Sequence, residues 1–205
     1  MPKLKTIERM IRKPLLAIKP LGHTFILKWI PDEPYLKLLY YSEFKKVLNL
    51  SNPLLFTEKL QWLKIHNREP EYSKLVDKYC VREFVSSVIG EEYLTPIIAV
   101  YNNVGEIEWG NLPNEFVIKC NHGSGTNIIC FDKKRLNIKL SSEKLKRWMK
   151  KNWYWFGREW PYKNLKKKII VEQLLVDNKT RIPNDYKFWI FNNEIKFINV
   201  HFKED

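Results

Sequence analysis

Residues 116–132 read FVIKCNHGSGTNIICFD. Val, Ile and Phe on both sides of a polar centre predict two β-strands, 116–120 and 127–131, with the glycines in the turn between them. The tip of this hairpin carries Gly123, Ser124 and Gly125, and Lys119 lies on the strand that leads into it. Glycine lets the backbone approach a ligand closely, and clustered N–H groups form a concave anion site, so the segment suits phosphate.

The spacing of the glycines fits neither of two common phosphate-binding motifs. No Gly-Lys-Ser/Thr follows a glycine by four residues, as a P-loop requires. A strand rather than a helix is predicted after the glycines, which excludes the dinucleotide-binding fingerprint. From this segment alone, an ordinary hairpin with a glycine turn is the alternative interpretation.

The composition favours a folded protein with an acidic partner. The chain has 205 residues, of which 44% are hydrophobic, enough for one large domain or two small ones. Lys and Arg number 36 against 23 Asp and Glu, and the net charge of +13 suits nucleotide phosphates, an anionic glycan or a membrane surface. A lysine-rich surface with no single partner is the alternative. The sequence contains no RNA- or DNA-binding motif, so we expect no nucleic-acid partner.

Cysteine usage and hydropathy predict a cytoplasmic protein. Cys80, Cys120 and Cys130 contain no Cys-x-x-Cys pair, which argues against a thiolate metal site and fits a reducing compartment. Residues 15–30 form the most apolar early run, but lysines interrupt it, so it is too charged and too short to span a bilayer. A basic, peripheral contact with the inner face of the membrane stays open.

Apolar spacing predicts four helices. In the predicted helix 78–89, four apolar residues share one side that we expect to be buried: Val81, Phe84, Val85 and Val88. Gly90 is a natural end for that helix. The predicted helices cover residues 35–47, 58–66 and 78–89, and the fourth begins at Ser141 or Ser142.

Two further strand predictions follow from turn and breaker residues. Pro96 lies in the strand candidate 94–101 and favours a place at a sheet edge. Residues 186–191 and 194–201 predict a second hairpin around Asn192-Asn193, because asparagine tolerates positive φ. The aromatic run 153–156 is compatible with a packed core or with a platform that stacks sugars or bases.

Six ordered blocks of sequence carry a resemblance to a known family. They read NPLLFTEKLQWLK (52–64), DKYCVREFV (77–85), GEEYL (90–94), LPNEFVIKCNHGSG (112–125), REWPYK (158–163) and DYKFWIFN (185–192). In this order they resemble the TupA-like ATP-grasp proteins of bacterial surface-polysaccharide clusters. The namesake acts in teichuronopeptide synthesis, and relatives are often labelled glycosyltransferases.

The resemblance, which runs from about residue 32 to the end, implies an α/β (α+β) ATP-grasp fold. Two lobes with mainly antiparallel sheets would hold ATP between them, and the second lobe would be incomplete. The implied parts are a basic lead-in (1–31), a helical or α/β region (32–110), a small lobe with the glycine-rich hairpin (111–176) and the start of the second lobe (177–205).

The resemblance also implies a nucleotide site. Lys78, with Arg82 as its competitor, and Lys119 would touch the phosphates, under a mobile lid formed by the glycine tip. Strand 170–174 would be the hinge between the lobes. The other implied contacts are backbone groups near Gln173 and Leu174 for adenine, Glu172 or Asp177 for the amino group or ribose, and Lys187 facing the nucleotide from the second lobe.

The implied chemistry is that of an ATP-dependent carboxylate–amine ligase with Mg²⁺, acting on a capsular or cell-wall polysaccharide or its precursor. Family members carry their magnesium ligands in late Arg-Val-Asp and Gly-Glu-Leu-Thr-Phe segments, and neither precedes Asp205. We therefore expect no metal ligands, weak nucleotide binding and no ligase turnover from this chain alone. A non-catalytic module that binds anionic glycan is the alternative.

Overall fold

A four-stranded antiparallel sheet holds the main core of the computed structural model, which describes residues 25–177 and 182–202. Of the predicted basic lead-in, residues 1–24 lie outside this part, as does most of the stretch considered for membrane contact. In the order β1-β4-β2-β3, the strands of the sheet are β1 (Ile97–Tyr101), β4 (Ile169–Glu172), β2 (Phe116–Cys120) and β3 (Asn127–Cys130).

The central hairpin forms as predicted. β2 pairs with β3 from Phe116 opposite Cys130 to Lys119 opposite Asn127. Gly123 and Gly125 in the turn have φ of 117° and 67°, a region that only glycine adopts readily. The glycines are therefore required by the path of the turn itself.

The strand that contains the predicted hinge lies inside the sheet. β4 pairs with both β1 and β2, and each of its four residues is buried. β1 follows Pro96 and lies at the edge, as predicted from the proline. Because β1 precedes residue 110, the sheet contains strands from both sides of the predicted boundary at 110/111.

Seven α-helices occur among the described residues. They are α1 (Phe25–Lys28), α2 (Asp32–Phe44), α3 (Phe56–His66), α4 (Glu71–Val76), α5 (Val81–Ile89), α6 (Ile138–Lys150) and α7 (Tyr154–Gly157). Helix α6 begins earlier than the two serines suggested, because the Asn137 side chain accepts a hydrogen bond from the Leu140 N–H and caps the helix there. None of these helices combines the length and apolar character that crossing a bilayer requires.

The main core lies between α6 and one face of the sheet. Alternation along β2 turns Phe116, Ile118 and Cys120 to this face, and all three are fully buried. Leu145 of α6 is fully buried in the same cluster, with Trp148 packed against it. A separate small cluster around Leu36, Tyr40 and Leu48 joins the N-terminal helices. The opposite face of the sheet is thereby left for other contacts.

The prediction that α5 buries its apolar face is wrong for the described residues. Phe84 is 50% exposed and Val88 62% exposed, and the helix contains no buried residue. The helix itself ends at Gly90, as predicted, with φ of 109°. Helical spacing shows which residues share a face but not whether another element covers that face.

The second hairpin is a sheet of its own. β5 (Asp185–Phe191) pairs with β6 (Glu194–His201), and Asn192 and Asn193 both have positive φ, as a tight primed turn requires. Its strands are exposed, and the Phe56 ring of α3 lies 6.2 Å from that of Phe191. The described chain is thus a mixed α/β fold with one four-stranded and one two-stranded antiparallel sheet.

Candidate functional site

The glycine tip and the turn between α4 and α5 meet at Lys78. The Lys78 ammonium donates a hydrogen bond to the carbonyl of Gly123, and its backbone N–H donates to the carbonyl of Asn121 at 3.2 Å. Both contacts join segments more than 40 residues apart in the chain. A half-buried cation therefore lies directly against the tip of the hairpin.

Asn121 holds these two segments together. It is fully buried, and its Nδ2 donates to Asp77 Oδ2 and to the Lys166 carbonyl, each at 2.8 Å. Its Oδ1 accepts from the Lys168 N–H at 2.7 Å. Asp77 in turn accepts from the N–H of Tyr79 at 2.8 Å, which fixes the turn around Lys78. One amide thus ties the glycine tip, the Lys78 turn and the approach to β4.

Lys119 and Glu172 form an ion pair across neighbouring strands. Since Val117 is opposite Glu172 in the sheet register, Lys119 and Glu172 lie on the same face, away from α6. The Lys119 ammonium lies 2.5 Å from Glu172 Oε2, and Arg82 Nη1 lies 3.6 Å from Oε1. The carboxylate is 92% buried, so it compensates two cations in a region with little water.

Lys78 and Lys119 lie near enough to each other for their charges to interact. Burial lowers the pKa of Lys78, and the positive charge of Lys119 lowers it further. Arg82, the other candidate for the cation at the tip, has different partners. Its guanidinium lies 3.6 Å from Glu172 and donates a hydrogen bond to the Thr95 carbonyl at 2.7 Å. Lys78 rather than Arg82 is therefore the cation at the glycine tip.

The structure places the remaining predicted residues in three groups. Ser124 and Gly125 are exposed at the tip, whereas Gly123 is buried. At the end of β4, the Gln173 N–H donates to the Pro96 carbonyl at 3.0 Å, and Leu174 is buried. The last group, Asp177 and Lys187, is exposed, and within the described ranges no hydrogen bond or ion pair joins Lys187 to Lys78, Lys119 or Glu172.

Sequence reasoning missed Asn121, Asp77 as its partner, and Trp153. A Cβ built on Gly123 would lie 1.9 Å from Trp153 Nε1, so the indole packs directly on the glycine. The other aromatic residues around it form a packed group, with Tyr154 buried and the Trp153 and Phe156 rings 5.3 Å apart. This favours the core interpretation of the aromatic run over a stacking platform.

A family model described as TupA-like ATPgrasp matches residues 58–204. The chain belongs to the TupA-like ATP-grasp family. The match includes the Lys78 turn, the glycine tip, β4 and the second hairpin. Comparisons with curated proteins and with solved structures give no match.

Membership of an ATP-grasp family implies binding of ATP. The residues that could hold its phosphates are those around the glycine tip. Lys78 bonds the tip and Lys119 acts on Lys78 electrostatically, so both supply positive charge, and a glycine that has no room for a side chain allows close backbone approach. In residues 25–177 and 182–202, no group of three or more His, Cys, Asp or Glu side chains could hold a metal ion.

Proposed function

We propose that this chain binds ATP at the glycine tip of the β2–β3 hairpin, with Lys78 and Lys119 holding the phosphates. The observation that supports it most is the hydrogen bond from the Lys78 ammonium to the Gly123 carbonyl. It brings a cation from one segment onto a glycine turn from another, and the charge of Lys119 acts on that cation. A triphosphate oxygen is a stronger acceptor for that ammonium than a neutral carbonyl.

Each residue has a distinct part in this proposal. Lys78 exchanges the Gly123 carbonyl for a phosphoryl oxygen, while the mobile tip, Gly123 to Gly125, covers the phosphates with its N–H groups. Lys119 adds charge from the strand, and Glu172 orients it through their 2.5 Å ion pair.

The adenine and ribose contacts are proposed at the end of β4. Leu174 and the carbonyl of Gln173 follow the buried strand and would contact the edge of the adenine. The Gln173 N–H is not assigned this part, because it already donates a hydrogen bond to the Pro96 carbonyl. Asp177 would hold the ribose, and Lys187 would approach the nucleotide from a second lobe that begins with the β5–β6 hairpin.

The reaction class that we propose for the site is ATP-dependent joining of a carboxylate to an amine in cytoplasmic synthesis of a bacterial surface polysaccharide, and within it the described residues are assigned nucleotide binding only. The carboxylate attacks the γ-phosphorus, the bond to ADP breaks, and an acyl phosphate forms; the amine then displaces phosphate and gives an amide. Charge develops on phosphoryl oxygens, where ammonium groups and backbone N–H donors stabilise the transition state. No metal ion is assigned to the described residues.

Nucleotide binding is tested by thermal melting and calorimetry with ATP and magnesium. At tenfold excess over Kd, binding adds about 1.4 kcal/mol to the stability, which raises the Tm by a few degrees. Lys78→Met and Lys119→Met should remove the rise. Lys146→Met, which changes an exposed lysine of α6, is the matched control and should keep it.

Two outcomes contradict the proposal. A wild-type protein that shows no Tm shift at millimolar ATP with magnesium does not bind the nucleotide. A shift with acidic glycan that is indifferent to ATP and to Lys119→Met would instead support an anionic glycan-binding module.

A further inference from the structure

Trp153 carries a buried donor without a partner. Its indole Nε1 is shielded from solvent and has no hydrogen-bond partner among the described residues. Most buried polar groups in folded proteins are paired, so an unpaired one calls for a physical reason. The position of this donor in the site supplies one.

The indole and Lys78 contact the same residue. Trp153 packs on Gly123 so closely that a Cβ there would lie 1.9 Å from Nε1, while Lys78 bonds the Gly123 carbonyl. Gly123 therefore lies between two donors, one charged and one neutral. If the glycine moves away, both donors face the space that it leaves.

The loop has room to make this movement. The Cys120 N–H bonds the Thr126 carbonyl at 3.0 Å and closes a five-residue loop between them. Ser124 and Gly125 are exposed, and a Cβ on Gly125 would meet nothing within 4 Å. The outer half of the loop is thus free of packing that would hold it down.

The surroundings favour an anion. Burial lowers the pKa of His122, which adjoins Gly123, and the positive charges of Lys167 and Lys78 lower it further. The Lys119 ammonium adds to the same positive field, since its charge lowers the pKa of Lys78, and the carboxylates of Asp77 and Glu172 offset part of it. A phosphoryl group brought here would be attracted by several cations at once.

We propose that Trp153 is a phosphate-binding residue of this site, whose indole N–H donates to a phosphoryl oxygen held by Lys78 once Gly123 moves aside. The inference rests on the proposed function and extends it to a residue that the family pattern does not assign. Binding of the phosphate would give Nε1 a partner and give Lys78 a charged acceptor in place of a neutral one. The loop movement and the pairing of the indole are then one event.

The first test is an NMR titration of the ¹⁵N-labelled wild-type protein. The Trp153 indole resonance is identified among those of the eight tryptophans by its contact with the Gly123 α-protons. ATP and inorganic tripolyphosphate should move this resonance downfield, as a new hydrogen bond to an anion does, and adenosine should leave it in place. Because no substitution is made, the result does not depend on how well a variant folds.

The second test is calorimetry on Trp153→Phe, which keeps an aromatic ring on Gly123 and removes the donor. Loss of a hydrogen bond to a charged group should weaken the binding of ATP and of tripolyphosphate by about tenfold or more. The affinity for adenosine should not change. Trp62→Phe is the matched control, since Trp62 packs on His66 in α3, and it should bind ATP as the wild type does.

The outcomes separate the two proposals. If the wild type binds ATP while the indole resonance stays in place and Trp153→Phe binds equally well, the role of Trp153 is wrong and the ATP site stands. If the wild type does not bind ATP, the proposed function is wrong, and the role of Trp153 is refuted with it.

Discussion

Replacement of Asn121 by alanine should destabilise the protein more than any surface change. The side chain is fully buried and makes three hydrogen bonds of 2.7–2.8 Å, to Asp77 Oδ2, the Lys166 carbonyl and the Lys168 N–H, and a longer one of 3.2 Å between its Oδ1 and His122 Nδ1. Asn121→Ala removes all four bonds and leaves the groups that they joined without this partner. The backbone bonds of residue 121, to Lys168 and from Lys78, are retained.

The magnitude follows from the number of bonds lost. A net contribution of about 1 to 1.5 kcal/mol for each of the three short bonds gives a loss of roughly 3 to 4.5 kcal/mol, to which the longer bond to His122 adds little. Domains of this kind have about 5 to 15 kcal/mol of stability in total, so the variant would lose a large fraction of it. Urea denaturation followed by circular dichroism measures the change in the free energy of unfolding.

Asn121→Asp is the matched variant, because it keeps the shape and the Oδ1 acceptor. It replaces the Nδ2 donor with an oxygen about 2.8 Å from Asp77 Oδ2. Burial and the neighbouring carboxylate raise the pKa of the introduced acid in the folded state above its unfolded value. The free energy of unfolding of Asn121→Asp is therefore furthest below that of the wild type at neutral pH. The difference shrinks as the pH falls through the raised pKa, because the protonated acid donates a hydrogen bond to Asp77 again.

The reasoning is refuted if Asn121→Ala costs less than about 1 kcal/mol, the value of a single ordinary hydrogen bond. It is also refuted if the deficit of Asn121→Asp does not change between neutral and acidic pH. The first result would mean that the amide does not join the segments. The second would mean that Asp77 does not face it.

Three further outcomes are expected. Gly123→Ala should destabilise the fold by about 2 kcal/mol or more in urea denaturation, because φ is 117° and the added Cβ meets Trp153, whereas Gly110→Ala should be nearly neutral because nothing lies within 4 Å. Glu172→Gln should cost about 2 to 4 kcal/mol in the same assay, since it leaves two partly buried cations uncompensated. Because the pKa of Lys78 is lowered in the folded state, the free energy of unfolding of the wild type should rise as the pH rises from that pKa towards the ordinary value of 10.5. Denaturation at a series of pH values should show that this rise is lost in Lys78→Met.

The parts of the fold that the sequence predicts are the local ones. The glycine hairpin, the Asn192-Asn193 turn and the edge strand after Pro96 depend on φ preferences and strand propensities of neighbouring residues. The start of α6 also depends on neighbouring residues. The prediction of Ser141 or Ser142 is wrong, because Asn137 caps a helix as well as serine does and comes first in the chain.

The parts that the sequence does not predict depend on contacts between distant segments. Asn121 reaches Asp77 across 44 positions, and nothing in the residues around Asn121 indicates that partner. In the sequence, Trp153 is only one member of an aromatic run, and the fold is needed to show that its indole packs on Gly123. Residue type alone predicts the two lysines, but the role of Glu172 as the counter-ion of Lys119 and Arg82 becomes visible only in the sheet register and the ion pairs.

The two lysines of the site differ in what compensates their charge, and this difference sets what a nucleotide would gain from each. Lys119 already has a buried carboxylate at 2.5 Å, so a phosphate must compete with Glu172 for it. Lys78 bonds a neutral carbonyl, and burial and the charge of Lys119 both disfavour its protonated form. An incoming anion removes that penalty at Lys78 and replaces a weaker acceptor, whereas at Lys119 it adds to an existing ion pair. Most of the electrostatic gain from phosphate binding is therefore expected at Lys78, and Lys78→Met should weaken ATP binding more than Lys119→Met does.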